Sequence, residues 1–315
     1  MTSLIPGMPG HDRDRLTALE PLLSPPDAGE VYEQGSGFKI TVKAFAENRL
    51  ALVGIGIVVF FLFFCYLGPH VYHSNQISGN LGANDLRPGP GHPLGTDDNG
   101  FDELGRIMKG GQAALEIGLL TAMIATVVGT LWGAVAGLVG GWLDGLLMRI
   151  VDVGLSIPTL FVVLIISARY SATVLSLSII LGLNAWFVPA RLVRGEVLTL
   201  RERDFVSAAR AMGSSQTRQV LRHLIPNALS VVIVNITFQI ADAILTVAFV
   251  GYLNFGLHFP QVDWGDQLSD GVNYLGDGYW WLIYPVGICL ILTVMAFNFM
   301  GDALRDAVDV RMRKR

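Results

Sequence analysis

Three polar side chains interrupt an otherwise apolar segment in the second half of the chain. Asn235, Gln239 and Asp242 follow one another at i, i+4 and i+7, the spacing that places side chains on one stripe of a helix. Polar groups are costly in lipid, so such a stripe usually faces a bundle interior or a water-filled path. The stripe fits two roles, a translocation pathway or hydrogen bonding between neighbouring helices, and the residues alone do not separate them.

The other reactive residue types do not form a catalytic or metal-binding pattern. His70 and His73 lie three residues apart and His92 follows, but no carboxylate-supported ligand set or nucleophile–base arrangement accompanies them. Cys65 and Cys289 both lie inside apolar runs, where a cysteine behaves as a small buried hydrophobe. We therefore expect no catalytic residue and no metal site in this chain.

The lysines give no sign of a phosphate-binding loop. None of the four lysines belongs to a Gly-Lys-Ser/Thr sequence, the motif whose backbone amides and lysine hold the phosphates of ATP. We therefore expect the chain to bind no cofactor and not to be an enzyme. If it performs work at the expense of ATP, a partner must bind the ATP and Mg²⁺.

The composition is that of a membrane protein. Of the 315 residues, 52% are hydrophobic and only 15% are charged, whereas a soluble domain carries about 25% charged residues. Residues 1–37 differ, because four prolines, mixed charges and no apolar core predict a disordered tail. Residues 38–49 have apolar side chains at helical spacing, which predicts a short interfacial helix. Lipid is the expected environment, and nucleic acid is not an expected partner.

Six segments are long and apolar enough, or nearly so, to cross a bilayer, which requires about 20 residues of helix. We therefore predict an all-α integral membrane protein whose six-helix domain occupies residues 50–309. The predicted spans are Leu50–Leu67, Ile117–Trp142, Val153–Ala168, Ser171–Ala190, Ala228–Tyr252 and Tyr279–Met300.

The basic residues predict how these spans are oriented. With a cytoplasmic N-terminus, 18 of the 22 lysines and arginines fall on the cytoplasmic side, as the positive-inside rule requires. Both termini are then cytoplasmic, including a basic tail at 310–315. The same orientation makes 68–112 and 254–278 outer loops and 191–227 a large basic cytoplasmic loop.

Glycines repeat at four-residue spacing in the second predicted span. Gly129, Gly133 and Gly137 share one helix face, and a face without side chains lets another helix approach closely. This seam fits packing within the chain and packing against another subunit equally well.

The basic loop has its own predicted structure. Asp204–Met212 is a good helix-forming run, and Gly213 follows it as a natural C′ residue, since only glycine enters the left-handed conformation cheaply. Ser214 or Ser215 can cap a second helix that runs to the stop before Pro226. The loop is thus predicted to form two short helices joined at a glycine.

Together these residues resemble the EAA loop of ABC importer permeases and, more widely, the dipeptide/oligopeptide/nickel permease family, especially its "C" permease. The similarity covers about residues 48–309. It rests on HPLGTD at His92–Asp97 with Gly100, Asp102, Arg106 and Gly110 beyond it, GGWLDGLLMRIVD at Gly140–Asp152, ARLVRGEVLTLRERDFVSAARAMG at Ala190–Gly213, RHLIPN at Arg222–Asn227, and FNFMGDALRDAVD at Phe297–Asp309.

The resemblance implies the type I ABC importer permease fold, in which the EAA loop forms a coupling helix that docks on the ATP-hydrolysing subunit. The positions that match this loop are Ser207, Ala208, Ala209, Arg210, Gly213, His223 and Pro226. Ser207 stands where the family has Glu, so an ion pair made by that Glu is absent. Members of the family often have Arg where Phe101 and Gln112 stand here.

The implied assembly is a heterodimer with a second permease subunit, two ATP-binding subunits and an extracytoplasmic solute-binding protein, in the bacterial plasma membrane. Di- or oligopeptides are the implied cargo, with nickel chelates or another small solute as the alternative. An ion-coupled secondary carrier is a competing class, but it would favour inverted repeats and several mid-membrane carboxylates. We find no repeat, and Asp242 is the one intramembrane acid candidate.

Overall fold

The computed structural model describes residues 37–73, 79–203, 206, 211–219, 222 and 224–313, and every regular element within them is helical. The helices are α1 Gly37–Glu47, α2 Arg49–Val71, α3 Glu103–Val139, α4 Gly141–Ser156, α5 Thr159–Ser167, α6 Val174–Ala185, α7 Phe187–Arg201, α8 Ile225–Tyr252, α9 Trp264–Asn273 and α10 Tyr284–Arg313, with a single turn at Gln216–Gln219 between α7 and α8. The chain divides into two units, Met1–Ile40 and Thr41–Arg315. The packing below is that of the second unit, and the predicted tail 1–37 lies outside the described residues except for Gly37.

Four helices are long and apolar enough to cross a membrane, namely α2, α3, Ala228–Tyr252 of α8, and Trp280–Val308. Two bent pairs add two further spans if each pair is one span: α4 with α5, bent by 72°, and α6 with α7, bent by 41°. The predicted all-α membrane fold is therefore confirmed, with six spans when each bent pair is counted as one. All six predicted segments overlap these spans, although their boundaries differ.

The largest boundary difference concerns α3, which begins at Glu103 rather than at Ile117 and ends at Val139 rather than at Trp142. The early start is fixed by Asp102, whose Oδ1 accepts a hydrogen bond from the Gly105 amide at 2.8 Å as an N-cap. The helix ends where Gly140 and Gly141 both have positive φ, +67° and +63°, a backbone path open to glycine at little cost. The first turns of α3 contain polar residues, so hydropathy alone does not predict them as helix. The last ten residues of the predicted outer loop 68–112 therefore belong to α3.

The glycines of α3 lie directly against α7 in the same chain. A Cβ atom added at Gly129 would lie 2.6 Å from the Trp186 carbonyl oxygen, and one at Gly137 would lie 2.9 Å from Cγ1 of Val197. At Gly133 it would overlap the carbonyl oxygen of Ala190. Because backbone meets backbone here, no larger residue fits without separating the two helices.

The two bends lie beside Pro158 and at Trp186. Pro158 has no amide hydrogen to donate, and Ile157 before it has extended dihedral angles, as residues preceding proline prefer. Between α6 and α7 the break falls at Trp186, whose ring packs on Trp132 of α3 at 4.9 Å and on Phe187 at 4.4 Å between centroids. Each predicted span in this region, Val153–Ala168 and Ser171–Ala190, therefore contains a bend.

Replacing Gly133 by alanine tests the contact between α3 and α7. We expect Gly133→Ala to lower the free energy of unfolding by about 2 kcal/mol, because its methyl group must displace the α7 backbone. Gly145→Ala in α4 is the matched control, since nothing lies within 4 Å of a Cβ added there. The measurement is the thermal midpoint of the purified protein in one detergent. Equal midpoints for the two variants would contradict the assignment of a close contact at Gly133.

Candidate functional site

The polar stripe of α8 divides between two surroundings. Gln239 is buried, and its Nε2 donates to the carbonyl oxygen of Ala185 at the end of α6, at 2.8 Å. Asp242 is exposed on the surface of the chain, and within the described residues no side chain pairs with its carboxylate. Thus Gln239 makes an interhelical hydrogen bond, the second of the two roles that the sequence left open, whereas Asp242 lies at the exposed surface of α8.

Asn235 lines a cavity of about 340 Å³ formed by α7, α8 and α10. Its Oδ1 is buried and has no hydrogen-bond partner among the described residues. The walls are mainly apolar, and one arginine supplies a positive charge. The lining residues are Leu192, Val231, Val234, Asn235, Phe238, Arg305 and Val308. Asn235 therefore belongs to a space large enough for a side chain or a small ligand fragment.

Arginines of α7 that the sequence analysis counted as topology determinants also make specific contacts. Arg194 holds Asp144 of α4 through two hydrogen bonds, Nε to Oδ1 at 2.5 Å and Nη2 to Oδ2 at 2.6 Å. Arg191 pairs with Asp152, also in α4. Arg201 donates from Nη1 to the carbonyl oxygen of Gly137 at 3.2 Å, which satisfies an acceptor at the end of α3. These contacts fix α7 to α3 and α4, and their partners lie about 40 to 64 residues away in sequence, beyond the reach of local patterns.

Most of the predicted coupling residues cannot be placed. Ser207, Ala208, Ala209, Arg210 and His223 lie outside the described residues. Gly213 is described, and its φ of +81° is the left-handed conformation that the sequence predicts.

The residues after Gly213 show how the loop leads into α8. The Oγ of Ser215 accepts from the Arg218 amide at 3.4 Å, so Ser215 caps the turn Gln216–Gln219. Pro226 lies in the first turn of α8, where its missing N–H costs no hydrogen bond. Pro226 therefore begins a long helix, whereas the sequence analysis placed it only as the stop after a short one.

At the other end of α3, a buried ion-pair network surrounds Arg106. Its guanidinium, with 10% of the side chain exposed, pairs with Asp97 and reaches Oδ2 of Asp266 at 3.7 Å and of Asp270 at 4.0 Å. The Phe101 ring lies 5.5 Å from its central carbon, close enough for a cation–π contact. We call Asp97, Glu103, Arg106, Asp266, Gln267 and Asp270 the Arg106 cluster. It joins the segment 79–102, α3 and α9.

The HPLGTD segment forms the loop side of this cluster. Asp102 accepts from the Tyr72 hydroxyl and pairs with Nδ1 of His92, both at 2.8 Å through Oδ2. Thr96 accepts from the Leu86 amide at 2.9 Å, and Gly95 has a φ of +76°. His92 is thus a hydrogen-bond partner of the residue that caps α3. Groups of three or more histidine, cysteine or acidic side chains placed to hold a metal ion are absent from the described residues.

Helix α9 forms the opposite side of the cluster. Trp264 donates from Nε1 to the Ile107 carbonyl oxygen at 3.0 Å, and Gln267 donates from Nε2 to that of Arg106 at 3.1 Å. Burial and the charge of neighbouring Asp266 raise the pKa of Asp270 to about 6. The sequence analysis placed Arg106 in a motif but missed its partners in α9, although four aspartates without a lysine or arginine between 254 and 278 were a usable signal.

Family models and individual relatives both match this chain, and both are membrane components of transport systems. Residues 129–314 match the family described as "binding-protein-dependent transport system inner membrane component", and residues 36–88 match the "N-terminal TM domain of oligopeptide transport permease C". A dipeptide transport system permease protein of Alkalihalophilus pseudofirmus is 33% identical, with 93% of this chain and 98% of the relative covered. An oligopeptide transport system permease protein of Escherichia coli K12 is 36% identical, with 86% and 90% covered.

Removing the guanidinium of Arg106 should loosen the segment 79–102. We expect Arg106→Gln to destabilise this packing by about 3 kcal/mol, because Asp97 would stay buried without its cation. The measurement is hydrogen–deuterium exchange of peptides from 79–102 and 264–273 in the membrane-embedded protein. Arg87→Gln, which alters an exposed arginine of the same segment, is the control. Equal protection in both variants would show that the Arg106 ion pairs do not hold the segment.

Proposed function

Because the chain belongs to the family of binding-protein-dependent transport system inner membrane components, we propose that it is the permease subunit of an ATP-driven importer of di- or oligopeptides. The observation that carries the proposal is similarity over nearly the whole chain to permeases named for dipeptide and oligopeptide transport. The chain spans 98% of one such relative and 90% of another. Four helices, or six spans when each bent pair counts as one, are long and apolar enough to cross a membrane, which agrees with a membrane permease.

The proposed assembly pairs this chain with a second permease subunit as a heterodimer. Two ATP-binding subunits on the cytoplasmic side would supply the energy and hold ATP and Mg²⁺, and an extracytoplasmic solute-binding protein would deliver the peptide. The excess of lysine and arginine in the loop between α7 and α8 and near both termini supports this orientation in the bacterial plasma membrane. In the same orientation the Arg106 cluster faces the outside.

The packing around α7 indicates how motion of the loop would reach the membrane helices. The loop, with Gly213 inside it, connects the end of α7 to the start of α8. Helix α7 is fixed to α3 along the glycines and to α4 through Arg194 and Asp144. A displacement of the loop by the ATP-hydrolysing subunit would therefore move α7 together with α3 and α4, because interfaces packed this closely shift as units.

The exposed face of α8 is the proposed wall of the translocation pathway. This face carries Asp242, whose carboxylate lies within an apolar span and has no side-chain partner in the described part of the chain. About two turns earlier along α8, the same helix borders the cavity beside Asn235. An ionised group is tolerated at that depth where water or a partner subunit solvates it. Gln239 contributes by holding α8 to α6 rather than by contacting cargo.

Reconstitution tests the function directly. The full transporter, with both permeases and both ATPases, is placed in proteoliposomes, and uptake of radiolabelled di- and tripeptides is measured with the solute-binding protein outside. We expect ATP-dependent accumulation that stops when the binding protein is omitted. Accumulation of a nickel chelate but of no peptide would overturn the proposed cargo, and uptake driven by an ion gradient without ATP would overturn the transporter class.

The turn at Gly213 provides a test of coupling. We expect Gly213→Val to abolish peptide uptake while ATP hydrolysis continues, because a β-branched residue is strained in the left-handed conformation by about 1–3 kcal/mol. Gly213→Asn is the matched control, since asparagine tolerates this conformation and should retain coupled transport. Normal peptide-stimulated ATPase activity and uptake in the Gly213→Val complex would refute the role of this turn.

A further inference from the structure

Two buried oxygen atoms in the Arg106 cluster have no hydrogen-bond partner among the described residues. They are Oε1 of Glu103 and Oε1 of Gln267, in side chains that are 2% and 3% exposed. Both residues line one small cavity of about 10 Å³, a space that holds at most one water molecule. Asp98 and Tyr274 line it too, and the Tyr274 hydroxyl donates to Asp98 at 3.0 Å. Leaving a buried polar atom without a hydrogen bond costs about 1–3 kcal/mol. A group that donates to these two oxygen atoms would therefore stabilise the folded packing measurably.

The chemistry of the two atoms limits what can satisfy them. An amide oxygen and a carboxylate oxygen are both acceptors, so they cannot satisfy each other. The Nε2 group of Gln267 already donates to the Arg106 carbonyl oxygen. This hydrogen bond sets the orientation of the amide, and its Oε1 atom then has no donor among the described residues. What is missing is a hydrogen-bond donor between Glu103 and Gln267.

The charges around the cavity favour a proton as the source of that donor. The titratable groups that act on Glu103 are Arg106 on its own helix, Asp97 and Asp102 from the preceding segment, and Asp270 from α9. Asp98 and Tyr274 line the same cavity. Arg106 is the one cation in this set, and its guanidinium is already paired with Asp97 and close to Asp266 and Asp270. Arg106 attracts an ionised Glu103 as well, but one guanidinium would then be shared among four carboxylates, so a further buried negative charge is unfavourable.

We propose that the Glu103 carboxyl is a proton-binding site, and that its bound proton supplies the donor shared with Gln267. When protonated, the side chain donates within the cavity and adds no charge to the cluster. When it loses the proton, repulsion from Asp97 and Asp270 opposes the packing of the segment 79–102 and α9 on α3. The proton concentration on this side of the membrane thereby sets how firmly these three parts hold together.

Asp270 is a second carboxyl of the Arg106 cluster whose protonation favours the folded packing. The pKa of Asp270 is raised from 3.8 to about 6, first by burial and then by Asp266. A carboxyl whose pKa is raised by folding favours the folded packing at low pH, and that contribution is lost as pH rises through the folded-state pKa. Asp270 therefore accounts for loosening between about pH 4 and 6, and any loosening at higher pH must come from another group, which we assign to Glu103.

Hydrogen exchange of the wild-type protein provides the first test. The full chain in lipid nanodiscs is labelled at about pH 6.5 and pH 8.5, with correction for intrinsic exchange, and peptides from 79–102 and 264–273 are followed. Because one pKa unit corresponds to a tenfold change in an equilibrium, we expect protection to fall by about tenfold between these conditions. Protection that does not change with pH in the wild type would overturn the proposal.

The variant Glu103→Gln assigns the effect to the carboxyl. A glutamine carries the donor at every pH, so we expect its protection to vary less than about twofold over the same range and to exceed that of the wild type at pH 8.5. Glu116→Gln, at an exposed carboxylate of the same helix, should retain the wild-type dependence. Lower protection of Glu103→Gln at pH 6.5 would show that an ionised carboxylate stabilises the fold, and an unchanged pH dependence would assign the effect to another group. Either result would overturn the proposal.

Discussion

The structure depends on one close contact, the approach of α3 to α7 along Gly129, Gly133 and Gly137. Within lipid, helices gain little from burying apolar side chains against one another, so association relies on dispersion contacts and hydrogen bonds at short range. The glycines provide that range because three successive turns of α3 have no side chain where they meet α7. Once the two backbones touch, Arg201 can reach the carbonyl groups at the end of α3, and Arg194 can reach Asp144.

The two ends of α3 are fixed by different chemistry. Beside α7 the contacts are hydrogen bonds from arginines to backbone oxygens and to the buried carboxylate of Asp144. At the Glu103 end a single arginine is buried among several carboxylates, so the balance of charge is unfavourable unless protons are taken up. The Trp264 and Gln267 side chains nonetheless hold α9 to α3 through backbone oxygens of α3, which do not titrate. The packing here therefore combines ion pairs that depend on pH with hydrogen bonds to backbone oxygens that do not.

The sequence was sufficient for the helical membrane fold, for the glycine face of α3 and for the left-handed turn at Gly213, because each depends on local composition or on the steric limits of one residue. It was insufficient for the bends at Ile157 and Trp186 and for the polar first turns of α3, since hydropathy does not register a helix that extends beyond the apolar layer. It also missed the partners of Arg106 in α9, which lie about 160 residues away along the chain. Asn235, Gln239 and Asp242 show a further limit, because one stripe in sequence divides between a hydrogen bond, a cavity and the surface when neighbouring helices are in place.

The length of α3 has a mechanical consequence. Its 37 residues form one uninterrupted helix, about 55 Å long at 1.5 Å per residue. A rod of that length pivoting near one end displaces the other by about 1 Å for each degree of tilt. A tilt of about three degrees imposed beside α7 would therefore displace the Arg106 cluster by about 3 Å, the length of a hydrogen bond. The length of α3 sets how far a given tilt moves the cluster.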